Sequence, residues 1–277
     1  MKALWYALDD LSQRYLYERP SQRYRRQLLH AVRFPDFLPK AEQLSQNGVL
    51  ILPSYFQPSV VAGMREDFHK WAQGKKEDSL GRILVSESTG AFLRDSFHFS
   101  AAAVDTYLTA LVRYYWGKPV VLSHACGLRI HPTPPEGKDV GPFQWHHDAN
   151  RKQVKAMILL DDVAPDGQRM DYLPKTHRIW HRFRRGEAGY EETRFSQESV
   201  ARYGELVRCA GPAGTVILFD TNGLHRGNRN LGPRRDVWTF QYTAGRHMEP
   251  LSGLHPHVTR QMDRCQRRFA RFPLFGH

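Results

Sequence analysis

From about residue 120 onward the sequence consists of short segments rich in β-branched and aromatic residues, and this pattern limits the possible folds more than any other. The segments cover residues 120–131, 154–160, 214–219 and 237–243, and clusters of Pro, Gly and Asp separate them. Runs of this kind predict β-strands. No helical pattern alternates with them, which disfavours a doubly wound parallel sheet. A β-sandwich or a jelly-roll barrel with helices packed outside it fits the pattern better.

The sequence before residue 120 predicts mainly helices. Residues 1–40 carry apolar residues spaced among basic ones, and Pro35 and Pro39 are expected to interrupt this helical region. A short buried strand is predicted at residues 48–53, an amphipathic helix at about 58–73, and a second helix at 101–116. At 277 residues the chain suits one domain, with a basic helical extension (1–45), a core (45–245) and a basic tail (246–277).

Composition argues against several classes of protein. A hydrophobic fraction of 41% and an aromatic fraction of 12% are enough for a sizeable core, which argues against general disorder. No apolar run approaches the roughly 20 residues that a membrane-spanning helix needs, and no secretory signal is expected at the start. Three widely spaced cysteines argue against a disulfide framework and a cysteine-based zinc site. A cytoplasmic location is therefore predicted.

The motif at residues 146–148 is the first candidate for a chemical site. His146 and Asp148 are two positions apart, and on an extended segment such residues point to the same side. Two imidazoles and one carboxylate on one face form the triad that binds iron(II) and leaves positions open for other ligands. A His-x-Asp pair alone is a weak signal, so a zinc-binding or a metal-free jelly roll is the alternative. His124 is expected to be an ordinary polar residue of its strand.

The residues that follow this motif strengthen the prediction of a metal site. The strand predicted at residues 214–219 leads to His225, and a turn then leads to Arg234 and Arg235, where another strand begins. This order resembles the phytanoyl-CoA dioxygenase family of 2-oxoglutarate oxygenases. Further matches to that family are Trp145, residues 159–163 (Leu-Leu-Asp-Asp-Val), residues 173–177 (Leu-Pro-Lys-Thr-His), and the strand and helix that begin at residue 48. The resemblance covers roughly residues 45–245.

The resemblance implies a double-stranded β-helix (jelly roll) core with N-terminal and flanking α-helices. It implies that His146, Asp148 and His225 hold iron(II), and that an arginine binds the distal carboxylate of 2-oxoglutarate, the cosubstrate used with O₂. Arg234 is the preferred arginine. The turn before it is shorter than the family's usual turn, so Arg235 remains a rival, and strand alternation allows only one of the two to face inward. The implied activity is that of a dioxygenase that hydroxylates its substrate and releases succinate and CO₂.

The basic charge of the chain is a separate observation that bears on the substrate. There are 40 Lys and Arg against 28 Asp and Glu, and the excess is concentrated in residues 1–40, in residues 226–277 and around Arg178, Arg182, Arg184 and Arg185. Such a field attracts anionic substrates, anionic membranes or nucleic acid. Residues 260–272 mix Phe with Arg like an interfacial segment, which suggests peripheral attachment to the inner membrane. Kdo 3-hydroxylases, within the broad family, act on an anionic sugar attached to lipid A, so a lipid-linked anionic sugar is the leading substrate hypothesis.

Other functions stay open at this point. A small-molecule hydroxylase of biosynthetic type, acting for example on an amino acid, needs no membrane. A nucleic-acid-directed oxygenase or binding protein would also use the positive field. However, the sequence has no recognised nucleic-acid motif, so nucleic acid is not an expected partner.

Overall fold

The computed structural model describes residues 20–86, 91–132, 134, 140–148, 152–178, 194–244 and 253–261. Predictions made for residues 1–19, 179–193 and 262–277 lie outside these ranges, including those for Arg182, Arg184, Arg185 and most of the basic tail. The described helices are α1 (Gln22–Ala31), α2 (Phe37–Asn47), α3 (Pro58–Ala72), α4 (Ala91–Asp95), α5 (Phe97–Ala103), α6 (Thr106–Trp116), α7 (Gln197–Val200) and α8 (Pro256–Gln261). Short 3₁₀ turns cover Gly141–Phe143 and Ala201–Tyr203.

The described strands form two antiparallel sheets. They are β1 (Val49–Leu52), β2 (Arg82–Ser86), β3 (Val121–Ile130), β4 (Trp145–His146), β5 (Val154–Leu159), β6 (Met170–Tyr172), β7 (Arg194–Phe195), β8 (Val207–Cys209), β9 (Val216–Asp220), β10 (His225–Gly227) and β11 (Arg235–Thr243). The major sheet has the order β1-β9-β5-β11-β3-β2, and the minor sheet has the order β7-β4-β10-β6-β8. Consecutive strands therefore often lie in different sheets. This topology confirms the predicted jelly-roll core.

Both faces of the major sheet carry buried apolar side chains, and each face has a different partner. Side chains from alternate positions, such as Ala156, Ile158 and Trp238, pack with the helices in one large cluster. The intervening positions, such as Met157 and Leu159, pack against residues of the minor sheet. The second face is therefore the interior of the barrel, and any side chain on it points toward the space between the sheets.

Two predicted features of the helical part are corrected by the structure. Pro39 was expected to interrupt a helix, but it lies in the first turn of α2, where backbone N–H groups have no helical partner and proline is tolerated. The helix predicted at residues 101–116 is divided into α5 and α6. Asp105 causes the break because its side chain caps α6 by accepting a hydrogen bond from the Leu108 N–H. Within the described residues, no helix is long and apolar enough to cross a bilayer.

Candidate metal centre

Two neighbouring strands of the minor sheet bring the predicted triad together. His146 ends β4 and His225 begins β10, and the two residues face each other across the antiparallel pair. Asp148 follows β4 by two positions, so it lies on the same side as His146. Its Oδ1 atom is 3.4 Å from Nε2 of His146 and 3.4 Å from Nε2 of His225. One ligand atom from each of the three residues falls within 4.8 Å of the others, which is compact enough to hold a metal ion.

Backbone hydrogen bonds select the imidazole tautomer that a metal requires. The Nδ1 atom of His146 lies 2.7 Å from the carbonyl oxygen of Gln144, and that of His225 lies 2.9 Å from the carbonyl oxygen of Gly223. When Nδ1–H donates to a carbonyl, Nε2 of a neutral imidazole carries the lone pair. Both Nε2 atoms therefore present lone pairs toward Asp148, which matches the donor set of a facial triad for iron(II).

The electrostatics of the centre keep its ligands in their metal-binding forms. Burial lowers the pKa of His146, and the nearby His225 lowers it further, so the neutral imidazole is favoured. Burial alone would raise the pKa of Asp148, but the two histidines and Lys155 outweigh this effect and hold its pKa well below the usual value. The centre thus offers the Asp148 carboxylate and the neutral nitrogen of His146 in the forms that bind a metal.

The loop that leads into His225 is fixed by a buried network below the triad. Asp220, at the end of β9, accepts hydrogen bonds from the Tyr115 hydroxyl and from the Asn222 N–H. The Tyr172 hydroxyl donates to the Asp220 carbonyl oxygen at 3.0 Å. Gly223 approaches the same tyrosine so closely that a Cβ atom would lie 1.9 Å from its hydroxyl oxygen. These contacts determine where the chain enters β10 and therefore where His225 stands.

Lys155 holds the outer oxygen of the triad carboxylate. Its Nζ atom lies 2.5 Å from Oδ2 of Asp148, and both side chains are 24% exposed. Oδ1 faces the two imidazoles, so the two oxygens of the carboxylate have different partners. A carboxylate held in this way presents one oxygen to a metal and has the other engaged by an ammonium group.

The structure distinguishes clearly between the two candidate arginines. Arg234, the preferred candidate, is exposed at the surface, whereas Arg235 is 5% exposed. Arg235 shares the interior face of β11 with Val237, whose side chain belongs to the interior cluster. Its Nε and Nη1 atoms have no hydrogen-bond partner among the described residues. Burial lowers the pKa of Arg235 to about 10.

A buried guanidinium with two unpartnered nitrogens is costly unless something binds it, and a carboxylate is the ligand that its planar fork matches best. Burial therefore favours Arg235 over Arg234, the arginine preferred from the sequence, as the one that can meet an anion inside the barrel. The sequence analysis also missed Lys155 and the Tyr115–Asp220 contact, because each depends on which elements the fold brings together.

Comparison with known proteins agrees with this geometry. The sequence model described as "Phytanoyl-CoA dioxygenase (PhyH)" matches residues 44–237. The ectoine dioxygenase of Stutzerimonas stutzeri is 24% identical over 222 residues, which cover 69% of this chain and 71% of that protein. The ectoine dioxygenase of Nocardia farcinica is 26% identical over 255 residues, which cover 79% of this chain and 83% of that protein.

Solved structures show the same fold at low sequence identity. EctD from S. alaskensis with bound Fe is 20% identical, with a TM-score of 0.56, and the match covers 75% of this chain and 76% of that one. HygX from Streptomyces hygroscopicus, solved with nickel, 2-oxoglutarate and hygromycin B, is 19% identical with a TM-score of 0.53. That match covers 78% of this chain and 90% of HygX.

Proposed function

Because this chain belongs to the phytanoyl-CoA dioxygenase family, we propose that it hydroxylates a small molecule at the centre formed by His146, Asp148 and His225. The chain is a dioxygenase whose cofactors are iron and 2-oxoglutarate, with O₂ as the oxidant. In the proposed reaction one oxygen atom enters a C–H bond of the substrate. The other enters succinate as 2-oxoglutarate loses CO₂, so atoms and electrons balance without a further reductant.

A single observation carries this proposal, namely the convergence of three ligand atoms within 4.8 Å of one another inside the barrel. In the proposed site the Nε2 atoms of His146 and His225 and the Oδ1 atom of Asp148 would hold the metal ion. Arg235 binds the distal carboxylate of 2-oxoglutarate through its unpartnered donors. The bound iron supplies the O₂ chemistry, and the protein residues supply position, charge and the exclusion of water.

A small-molecule substrate is favoured by the curated relatives. Four ectoine dioxygenases match this chain, and two of them match more than two thirds of both sequences. The structure of HygX contains hygromycin B, another small molecule, in a protein of the same fold. Ectoine is accordingly the first compound to test, together with compounds of similar size.

A lipid-linked anionic sugar, the leading substrate hypothesis from the sequence, is now the second candidate. The observation that favours it is the net charge of +12. The basic segments on which membrane attachment depends lie mostly outside the described residues. Co-sedimentation with anionic vesicles at low salt decides this question, because a protein that stays in the supernatant has no peripheral membrane attachment. Cytoplasmic location likewise stays a prediction.

The proposed chemistry is tested by adding iron(II) and 2-oxoglutarate to the metal-free protein without oxygen. A weak visible charge-transfer band should appear in the wild type and be absent in His225→Ala. Ectoine and related small molecules are then compared by how strongly each accelerates succinate formation in the absence of lipid. If the wild type gives no band under these conditions, the proposed site is wrong.

A further inference from the structure

Three polar side chains form a row on the interior face of the major sheet, close to the triad. His124 on β3, Gln241 on β11 and Lys155 on β5 are paired in one continuous register across the three strands. Directly paired residues of antiparallel strands share a face of the sheet. Lys155 is two positions before Met157 on β5, so it lies on the same face, which is the interior one. We call these three residues the inner row. They are the polar end of an otherwise largely apolar interior face.

The inner row lies beside the metal centre because Lys155 contacts the triad directly. Its ammonium group is 2.5 Å from Oδ2 of Asp148. His124 is near enough to Lys155 for their charges to interact, and burial together with that ammonium lowers the pKa of the imidazole. Cys126, the next interior residue of β3, is within electrostatic range of both Lys155 and Asp148. The row therefore borders the same space as the proposed metal.

The proposed chemistry does not use the inner row, and the loaded site has one more positive charge than negative charges, even though Lys155 pairs with Asp148. In the loaded site, the two positive charges of the metal match the two carboxylates of 2-oxoglutarate, and the charges of Arg235 and Asp148 cancel. The ammonium of Lys155 is the positive charge that remains. It has three N–H donors, and Asp148 accepts from one of them. A substrate with a negative group would neutralise the site, whereas a cationic one would be repelled.

We propose that the inner row binds an oxyanion of the substrate, a carboxylate or a phosphate, with Lys155 as its principal contact. The Gln241 amide donates one N–H to the Ser123 hydroxyl at 3.4 Å and has a second N–H for an oxyanion. Neutral His124 can supply another donor. This inference rests on the proposed function and adds the chemical class of its substrate. It makes Lys155 a specificity-determining residue, in addition to its contact with the outer oxygen of Asp148.

Trifluoroacetate is a suitable probe, because fluorine NMR reports how close it comes to paramagnetic iron(II). The protein is loaded with iron(II) and 2-oxoglutarate without oxygen, and the probe is titrated. Paramagnetic broadening falls with the sixth power of distance, so only a probe bound near the metal broadens strongly. We expect saturable broadening of trifluoroacetate by the wild type and none of neutral trifluoroethanol.

Substitutions then assign the binding to the inner row. Lys155→Met should weaken trifluoroacetate binding about tenfold, the effect of losing one charge-assisted hydrogen bond, and Lys155→Arg should retain most of it. Gln241→Glu should weaken binding by a similar factor through repulsion, without removing the contact to Asp148. Lys70→Met, which removes an exposed lysine on α3, should leave binding unchanged.

The charge-transfer band, recorded on the same samples, separates two kinds of failure. Without a band in the wild type, the proposed function itself fails. With a band, trifluoroacetate binding that is absent, or equal in the wild type, Lys155→Met and Gln241→Glu, overturns the inner-row proposal alone. If Lys155→Met does not bind iron(II) and 2-oxoglutarate, the result for Gln241→Glu is used instead. Trifluoroacetate binding that is unchanged in Gln241→Glu is sufficient to reject the proposal.

Discussion

Replacing Arg235 with methionine should stabilise the protein while abolishing cosubstrate binding. The guanidinium is buried, its Nε and Nη1 atoms have no described partner, and burial lowers its pKa from the usual arginine value to about 10. Each pKa unit corresponds to about 1.4 kcal/mol, so keeping this group charged costs the folded protein about 3 kcal/mol. Because the folded-state pKa is the lower one, the cost is present in full below pH 10 and disappears only above the unfolded-state pKa.

Methionine fills much of the same volume and carries no charge. Some packing is lost, so we expect Arg235→Met to raise the free energy of unfolding of the metal-free protein by about 1–3 kcal/mol, with a Tm several degrees higher. The wild type should in turn be stabilised by about 2.7 kcal/mol when metal is present and 2-oxoglutarate is at a hundred times its Kd. The variant should show no such response, because the site that binds the distal carboxylate is gone.

Thermal unfolding of both proteins, with and without metal and 2-oxoglutarate, measures the two effects. Arg234→Met is the matched control, because its side chain is exposed one position earlier. That change should alter stability by less than about 0.5 kcal/mol and leave the 2-oxoglutarate response intact. If Arg235→Met lowers the stability of the metal-free protein, the guanidinium is better satisfied than its contacts indicate. If it keeps the 2-oxoglutarate response, another residue binds the cosubstrate.

Three further substitutions test the residues that position the metal site and the pH dependence of the protein's stability. Gly223→Ala should lower metal affinity at least about tenfold in a metal titration, because the new Cβ clashes with the Tyr172 hydroxyl and displaces the loop before the distal histidine. Tyr115→Phe should cost about 1–3 kcal/mol in denaturant unfolding, since buried Asp220 loses a donor. Burial lowers the pKa of His177 to about 4, below its unfolded value of about 6.5. Folding therefore disfavours protonation, and stability should fall by about 2–3 kcal/mol between pH 6.5 and pH 4. His177→Gln should flatten that part of the pH profile, and an unchanged profile would contradict the assignment.

Five of the six strands of the major sheet were predicted, and β2 was missed, as was most of the minor sheet. Strands β5, β9 and β11 have at least five residues each and are rich in β-branched and aromatic residues, so their composition identifies them. Strands β4, β6, β7, β8 and β10 have only two or three residues each, too few for any periodicity to be recognised. The triad could still be predicted, because its signal is a spacing of ligand types and not the length of the strands that carry it.

The sequence alone does not show which of Arg234 and Arg235 faces the barrel interior. Side chains of β11 alternate between the two faces of the major sheet. Trp238 and Phe240 lie on one face, and Arg235 lies on the other face with Val237 and Gln241. Both sets of side chains are largely buried, so hydrophobicity alone does not say which one faces the barrel interior. The polar members of the second set were a usable signal, because a row of polar residues within a buried strand indicates a ligand more often than a core.

Net charge is a weaker guide to the substrate than the few charges inside the barrel. Basic residues at the surface act through water and salt, where a field decays over about 8–10 Å and mainly changes how fast charged partners arrive. Two unit charges 4 Å apart interact by about 1 kcal/mol in water but by about 4 kcal/mol near a protein surface. A lysine in contact with the triad therefore discriminates between substrates more strongly than many arginines outside. Reversing surface charges should change the rate of association and its salt dependence, whereas replacing Lys155 should change which molecules bind.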